Sequence, residues 1–108
     1  MILLLVLSGM TSNVYSAQLI QIAGAGNVGC GVWVADKNAN NRRLLDGQTW
    51  VLGYLSGKAV TAGKDILRNT PDESLFLWID NYCQSNPLSD VADATNALYF
   101  ELTKQKGL

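Results

Sequence analysis

The chain has 108 residues, 48% hydrophobic and 16% charged, with a net charge of −1, two cysteines and no histidine. That is one globular domain's worth of chain, too apolar for a disordered segment and too short for two domains. Arg42-Arg43 is the only adjacent basic pair, which argues against nucleic acid as a partner, and the lack of histidine removes the commonest general base and metal ligand together.

The first residues, "MILLLVLSGMTSNVYSA", read as a secretory signal. An apolar run, Ile2 to Leu7, gives way to small and polar residues, with cleavage after Ser16 or Ala17. The run is too short to span a bilayer. This reading divides the chain into a signal peptide, residues 1–17, and a single helical domain, residues 18–108, exported to the periplasm. No membrane partner is expected once the signal is removed. A short buried N-terminal helix is the other reading of the same run.

"QLIQIAGAGNVGCG" holds Gly24, Gly26 and Gly29 in the spacing of a dinucleotide-binding turn. The context does not fit. That turn needs a long helix after it and a second parallel strand ending at an acid. Here the polar "KNANNRRLLDG", which includes Asp46, occupies the place of that strand. A flexible glycine-rich arm leading to Cys30 is the better expectation.

"CGVWVADK", Cys30 to Lys37, predicts a short helix or turn carrying Trp33, followed by a polar loop, Asn38 to Asn41. From about Arg42 to Val60 one amphipathic helix is expected, with Leu44, Leu45, Val51, Leu52 and Leu55 at helical spacing. Gly53 and Gly57 share a face of it. Each costs about 1 kcal/mol relative to alanine, so a close helix–helix contact beside an aromatic is expected there. "GYLSGKA" is one residue short of a phosphate loop, and Ala59 stands where a hydroxyl would bind magnesium. No cofactor is expected.

Thr70-Pro71-Asp72-Glu73 predicts a helix start, with Thr70 as cap and Glu73 completing a capping box. Leu75, Trp78, Ile79 and Tyr82 make one apolar stripe of this helix, and Phe76, Ile79 and Cys83 a second. It should be the central one. Asp80 and Asn81 are expected to bond to backbone or loop groups where it meets its neighbours. Glu73 and Asp80 share a face, but seven residues of rise, about 10.5 Å, separate their backbones, so no catalytic carboxylate pair is expected and the protein reads as no enzyme. Asn86-Pro87 would cap and open the last helix, about Leu88 to Lys104, with Val91, Thr95, Leu98 and Leu102 inward.

Two cysteines in an exported chain predict one disulfide, Cys30 to Cys83. Two buried thiols in a cytosolic protein are the alternative. The fold class that follows is all-α, a compact bundle of about four helices with one disulfide.

Four blocks carry a family resemblance: "CGVW" at Cys30 to Trp33, "WVLGYLSG" at Trp50 to Gly57, "WIDNYCQSNPL" at Trp78 to Leu88 and "ALYFEL" at Ala97 to Leu102. Together they resemble the Rap/Tai immunity-protein family, small exported bacterial proteins named for resistance to a self-produced amidase toxin of the type VI secretion system. The resemblance covers Cys30 to about Leu102. It implies a small helical periplasmic protein that binds and neutralises a cell-wall-degrading amidase without catalysis. The implied partner is a secreted amidase toxin, with a homodimer as a further arrangement. A periplasmic acid-stress chaperone of the Hde type, or an orphan binding domain, is the alternative function. On a rigid helical support, recognition is expected from the loop Asn38 to Asn41 and the connector Lys58 to Asn69. Tyr54 and Lys58 are the expected contact residues.

Overall fold

The computed structural model describes residues 20–108. The signal-like start lies outside the described residues. Four α-helices follow a short 3-10 turn, Gly24–Asn27: α1 (Cys30–Asn38), α2 (Arg43–Ala62), α3 (Asp72–Ser85) and α4 (Val91–Gln105). Among the described residues the only β-type pairing is an isolated bridge between Gly29 and Asp90. The fold is all-α, as the sequence predicts.

The helices pack as α1 on α3, α3 on α4 and α2 on α4. Their inward residues make one core: Val51 and Leu55 from α2, Leu75 and Ile79 from α3, and Val91, Ala94, Leu98 and Leu102 from α4. Ile66, in the connection between α2 and α3, is wholly buried with them. The predicted inner face of α4 is the observed one: Val91, Thr95, Leu98 and Leu102 are all buried. In α2 the expected cluster is trimmed, because Leu45 faces solvent while Leu44 and Leu52 are half-buried.

Cys30 and Cys83 are bonded to one another, with Cα atoms 4.8 Å apart and a sequence separation of 53. Both are buried. Closing a loop of that length stabilises a fold by about 4 kcal/mol in the chain-entropy model. The bond fastens the first turn of α1 to the last turn of α3.

Three expectations are corrected. The stretch before Cys30 is not a loose arm from Gly24 onward. Its 3-10 turn lies under Trp50, whose indole N–H donates to the Ala23 carbonyl at 3.0 Å. The Cys30 amide donates to the Ser89 carbonyl at 2.8 Å, and the Val91 amide to the Val28 carbonyl at 2.9 Å. Those two bonds also explain the second correction. Residues 86–90 are held against this segment, so α4 starts at Val91 rather than at Asn86-Pro87. Asp90 caps it, accepting from the Asp93 amide at 2.8 Å, while the Asn86 side chain donates back to the Tyr82 carbonyl at 2.9 Å. Third, the Thr70 capping box does not form. Pro71, extended, is the residue before the helix, which puts Glu73 one position too early to reach back. The Thr70 hydroxyl donates to the Arg68 carbonyl instead.

Candidate partner-binding surface

One side of α2 carries almost no charge. From Gln48 to Gly63 the only ionised residue is Lys58, so what this helix presents is aromatic, small or hydroxylic. Trp50 and Tyr54, one turn apart, stack with ring centroids 5.1 Å apart. The Tyr54 hydroxyl donates to Asn96 Oδ1 of α4 at 3.3 Å. One turn further, the Lys58 ammonium lies 4.8 Å from the centre of the Tyr99 ring and 5.9 Å from that of Tyr54. Each such cation–π contact is worth about 0.5–1 kcal/mol at a partly exposed site.

Tyr54 and Lys58, the two residues expected at a contact, thus sit together along the seam of α2 and α4. Both are half-buried. With Gly53, Gly57 and Thr61 they line a shallow groove of about 350 Å³. On α4, Asn96, Tyr99, Phe100 and Thr103 share one face by their spacing. Phe100 meets Tyr99 edge-on, centroids 5.3 Å apart, yet is 60% exposed. Val60 is 83% exposed at the far end of α2. The surface therefore combines anchored aromatic rings, one held cation and two uncovered apolar side chains. Aromatic enrichment with depleted charge is what the centres of protein interfaces share.

The glycines of this face correct another expectation. A Cβ at Gly53 or Gly57 would meet nothing within 4 Å. No helix packs against them; they open the groove. The close approaches to aromatic rings are elsewhere. A Cβ at Gly26 would lie 2.2 Å from Trp50 Cζ2, and one at Gly47 would lie 2.9 Å from Trp33 Cζ3.

The two expected recognition loops are more structured than their composition implies. Asn38 ends α1, and the turn after it is tied down by Asp36 and Arg43. The Arg43 Nε and Nη2 donate to the two Asp36 carboxylate oxygens at 2.8 and 2.7 Å. The Asn41 amide donates to the Asp36 carbonyl at 2.8 Å. Arg43's hydrogen bonds hold the Asp36 carboxyl below its ordinary value, against the opposing effect of burial, and the arginine's charge adds to the lowering. Of the connector Lys58 to Asn69, the first five residues continue α2, which ends at Gly63 with φ +64. Ile66 plugs the core. Lys64, Asp65, Arg68 and Asn69 are left nearer the surface.

Asp80 joins α3 to α1. One carboxylate oxygen accepts from Trp33 Nε1 at 2.7 Å, and the other pairs with the Lys37 ammonium. Asp80 thus serves the fold through side chains rather than backbone or loop groups, and Asn81 beside it is exposed. Asp72 and Glu73 are also exposed, at the other end of α3. Among the described residues no three His, Cys, Asp or Glu side chains cluster to hold a metal, and no helix is long and apolar enough to cross a membrane.

Sequence reasoning missed the Asp36–Arg43 and Lys37–Asp80 pairs and the uncovered Phe100. The first pair had a signal, opposite charges on either side of a short polar loop. The second had none, because it joins helices far apart in sequence. Comparison with protein-family models, with curated proteins and with solved structures finds no match to this chain.

Proposed function

We propose that this chain is an exported, non-catalytic binding domain of the immunity type, which neutralises a cell-wall amidase by covering part of its surface. The observation that carries the reading is the seam of α2 and α4, where Tyr54, Lys58 and Phe100, backed by the buried Tyr99 ring, form an aromatic, charge-poor surface on a helical support. The disulfide is compatible with an oxidising compartment. The resemblance at Trp50 to Gly57 and Ala97 to Leu102 falls on the two helices that build this surface. It supplies the amidase as the partner.

Inhibition by occupancy is stoichiometric. A stable interface buries about 1,200–2,000 Å² in total, and the groove is its centre rather than its whole extent. The test is a titration of the purified protein against a purified exported amidase encoded beside it. Activity should fall linearly and vanish near one binding site per enzyme. Phe100→Ala and Tyr54→Ala should each weaken the complex by at least about tenfold, as truncated aromatic anchors do. Inactivation of excess amidase by sub-stoichiometric protein would sink the occupancy mechanism, and absence of any complex would sink the immunity reading.

A further inference from the structure

A second concavity lies at the other end of α2, between its first turn, α1 and the 3-10 turn. Its volume is about 260 Å³, with apolar walls from Val28, Trp33, Leu44 and Val91. A dry engineered cavity of about 150 Å³ accepts benzene, so this one has room for a single aromatic ring with a short chain. Ligand pockets are mostly apolar, with a few polar groups that set orientation.

Those polar groups here are Asp36, Arg43 and Asp46. Asp36 is buried and Arg43 is committed to it through two hydrogen bonds. Asp46 is different. It lines the cavity and is exposed, which puts it at the rim. Among the described residues it makes no ion pair and no side-chain hydrogen bond. Two carboxylates and one guanidinium leave the lining with one negative charge in excess.

We propose that this cavity binds an apolar group of aromatic-ring size that carries an ammonium one or two carbons away, the ring against Trp33 and the ammonium at the Asp46 carboxylate. The ring enters first because the walls are apolar, and the cation stays at the rim because desolvating it would be costly. A free arylalkylamine has this chemistry, and so does the N-terminal residue of a polypeptide when its side chain is aromatic. The site is separate from the groove at Tyr54 and Lys58, so it stands or falls without the immunity reading.

The test uses ¹⁵N-labelled protein and four probes: phenethylamine, ethylbenzene, 3-phenylpropionate and the peptide Phe-Gly-Gly amide. The readout is the indole N–H resonance of Trp33, with that of Trp78, which does not line the cavity, as internal control. Phenethylamine should shift the Trp33 signal with a dissociation constant on the order of 1 mM, as expected for a ligand of so few atoms. It should bind about two- to fivefold more tightly than ethylbenzene, the gain of one exposed ion pair, and phenylpropionate should bind less tightly than either. Asp46→Asn should erase the difference between amine and hydrocarbon while leaving hydrocarbon binding in place. Ala25→Leu, which adds bulk to the lining, should weaken all probes. Binding of the peptide as tight as that of the amine assigns the site to a polypeptide end; binding of the amine alone assigns it to a free amine. No movement of the Trp33 signal with any probe, or equal affinity for the amine and the carboxylate, overturns the proposal.

Discussion

Gly26 and Gly47 lie against indole rings, whereas Gly53 and Gly57 open onto solvent, although three of the four belong to the same helix, α2, and the fourth packs on it. The first pair is glycine because a ring occupies the space a methyl would need. The second pair has that space free and still forgoes the roughly 1 kcal/mol that alanine would add in a helix. Packing explains the first pair. It does not explain the second; under the proposed function, a surface kept concave for a partner does. The molecule thus has a closed end, where glycines lock Trp33 and Trp50 in place and only the cavity beside Trp33 opens, and an open seam along α2 and α4.

The largest test of this contrast is the disulfide. Cys30→Ser with Cys83→Ser should cost about 4 kcal/mol, the chain-entropy value for its loop, read as a drop in denaturant midpoint with a steeper slope, because the unfolded chain without the bond is less compact. The damage should be greatest at the closed end. Amide exchange should quicken in α1 and in the 3-10 turn, with Val51 and Leu55 of α2 less affected. Uniform loss of protection across all four helices would show that the two ends are not separable.

Next comes Gly26→Ala. Gly26 has no positive φ, so the effect is purely steric: the new methyl would sit 2.2 Å from the Trp50 ring. Either the ring or the 3-10 turn must move, and overpacking of this kind costs about 1–3 kcal/mol. The indole bond to the Ala23 carbonyl should break with it, visible as a shifted Trp50 N–H resonance. An unchanged melting temperature and an unchanged Trp50 signal would mean that the closed end is looser than its geometry indicates.

Much of this architecture was legible beforehand, and the errors have a common cause. Helix α3, expected to be central, leaves Phe76, Trp78 and Tyr82 only half-buried, and α4 takes the more buried place. The core stripe of α4 and the Cys30–Cys83 bond, by contrast, follow from local spacing, cysteine number and a signal-like start. The start of α4 did not, because Asn86-Pro87 is a sound local signal overruled by backbone bonds from Ser89 and Val91 to the segment around Cys30. Asp80 shows the same limit. Its place on an apolar helix marked it as a local structural residue, but its partners Trp33 and Lys37 lie on another helix. For the candidate surface, Tyr54 and Lys58 fall together because they are one turn apart. Phe100 and Tyr99 join them only through the packing of α2 on α4, which no pattern within either helix announces.

Smaller, and of opposite sign, is the effect expected at the open seam. Gly53→Ala and Gly57→Ala should each raise stability by about 1 kcal/mol, since each methyl enters empty space. In a domain of this size that is about 4–8 °C in melting temperature. Under the proposed function, both substitutions should also lower affinity for the amidase by making the groove shallower. A stabilised protein that binds the proposed amidase partner unchanged would place the interface away from this seam. Destabilisation would mean that the glycines serve the fold after all.

The smallest expected effect is acid sensitivity confined to the closed end. The Asp36 carboxyl titrates below its ordinary value because Arg43 hydrogen-bonds to it. A group whose folded pKa is depressed binds its proton more readily in the unfolded chain. Its stabilising contribution is therefore complete above about pH 4, the ordinary carboxylate range, and disappears as pH falls through the lower folded value. Arg43 is largely exposed, so solvent and salt screen the pair and keep the contribution small. Asp36→Asn should accordingly be less stable than the parent at pH 7, and the two stability curves should converge below about pH 4. Salt should narrow the gap at neutral pH, because the pair is screened. The Tyr54–Lys58 groove has no carboxylate in its lining, so exchange protection there should not respond to Asp36→Asn over the same range. Curves that stay parallel down to pH 2 would mean that the substitution acts through packing or the Asn41 turn, and that the Asp36–Arg43 charge pair adds nothing to the closed end.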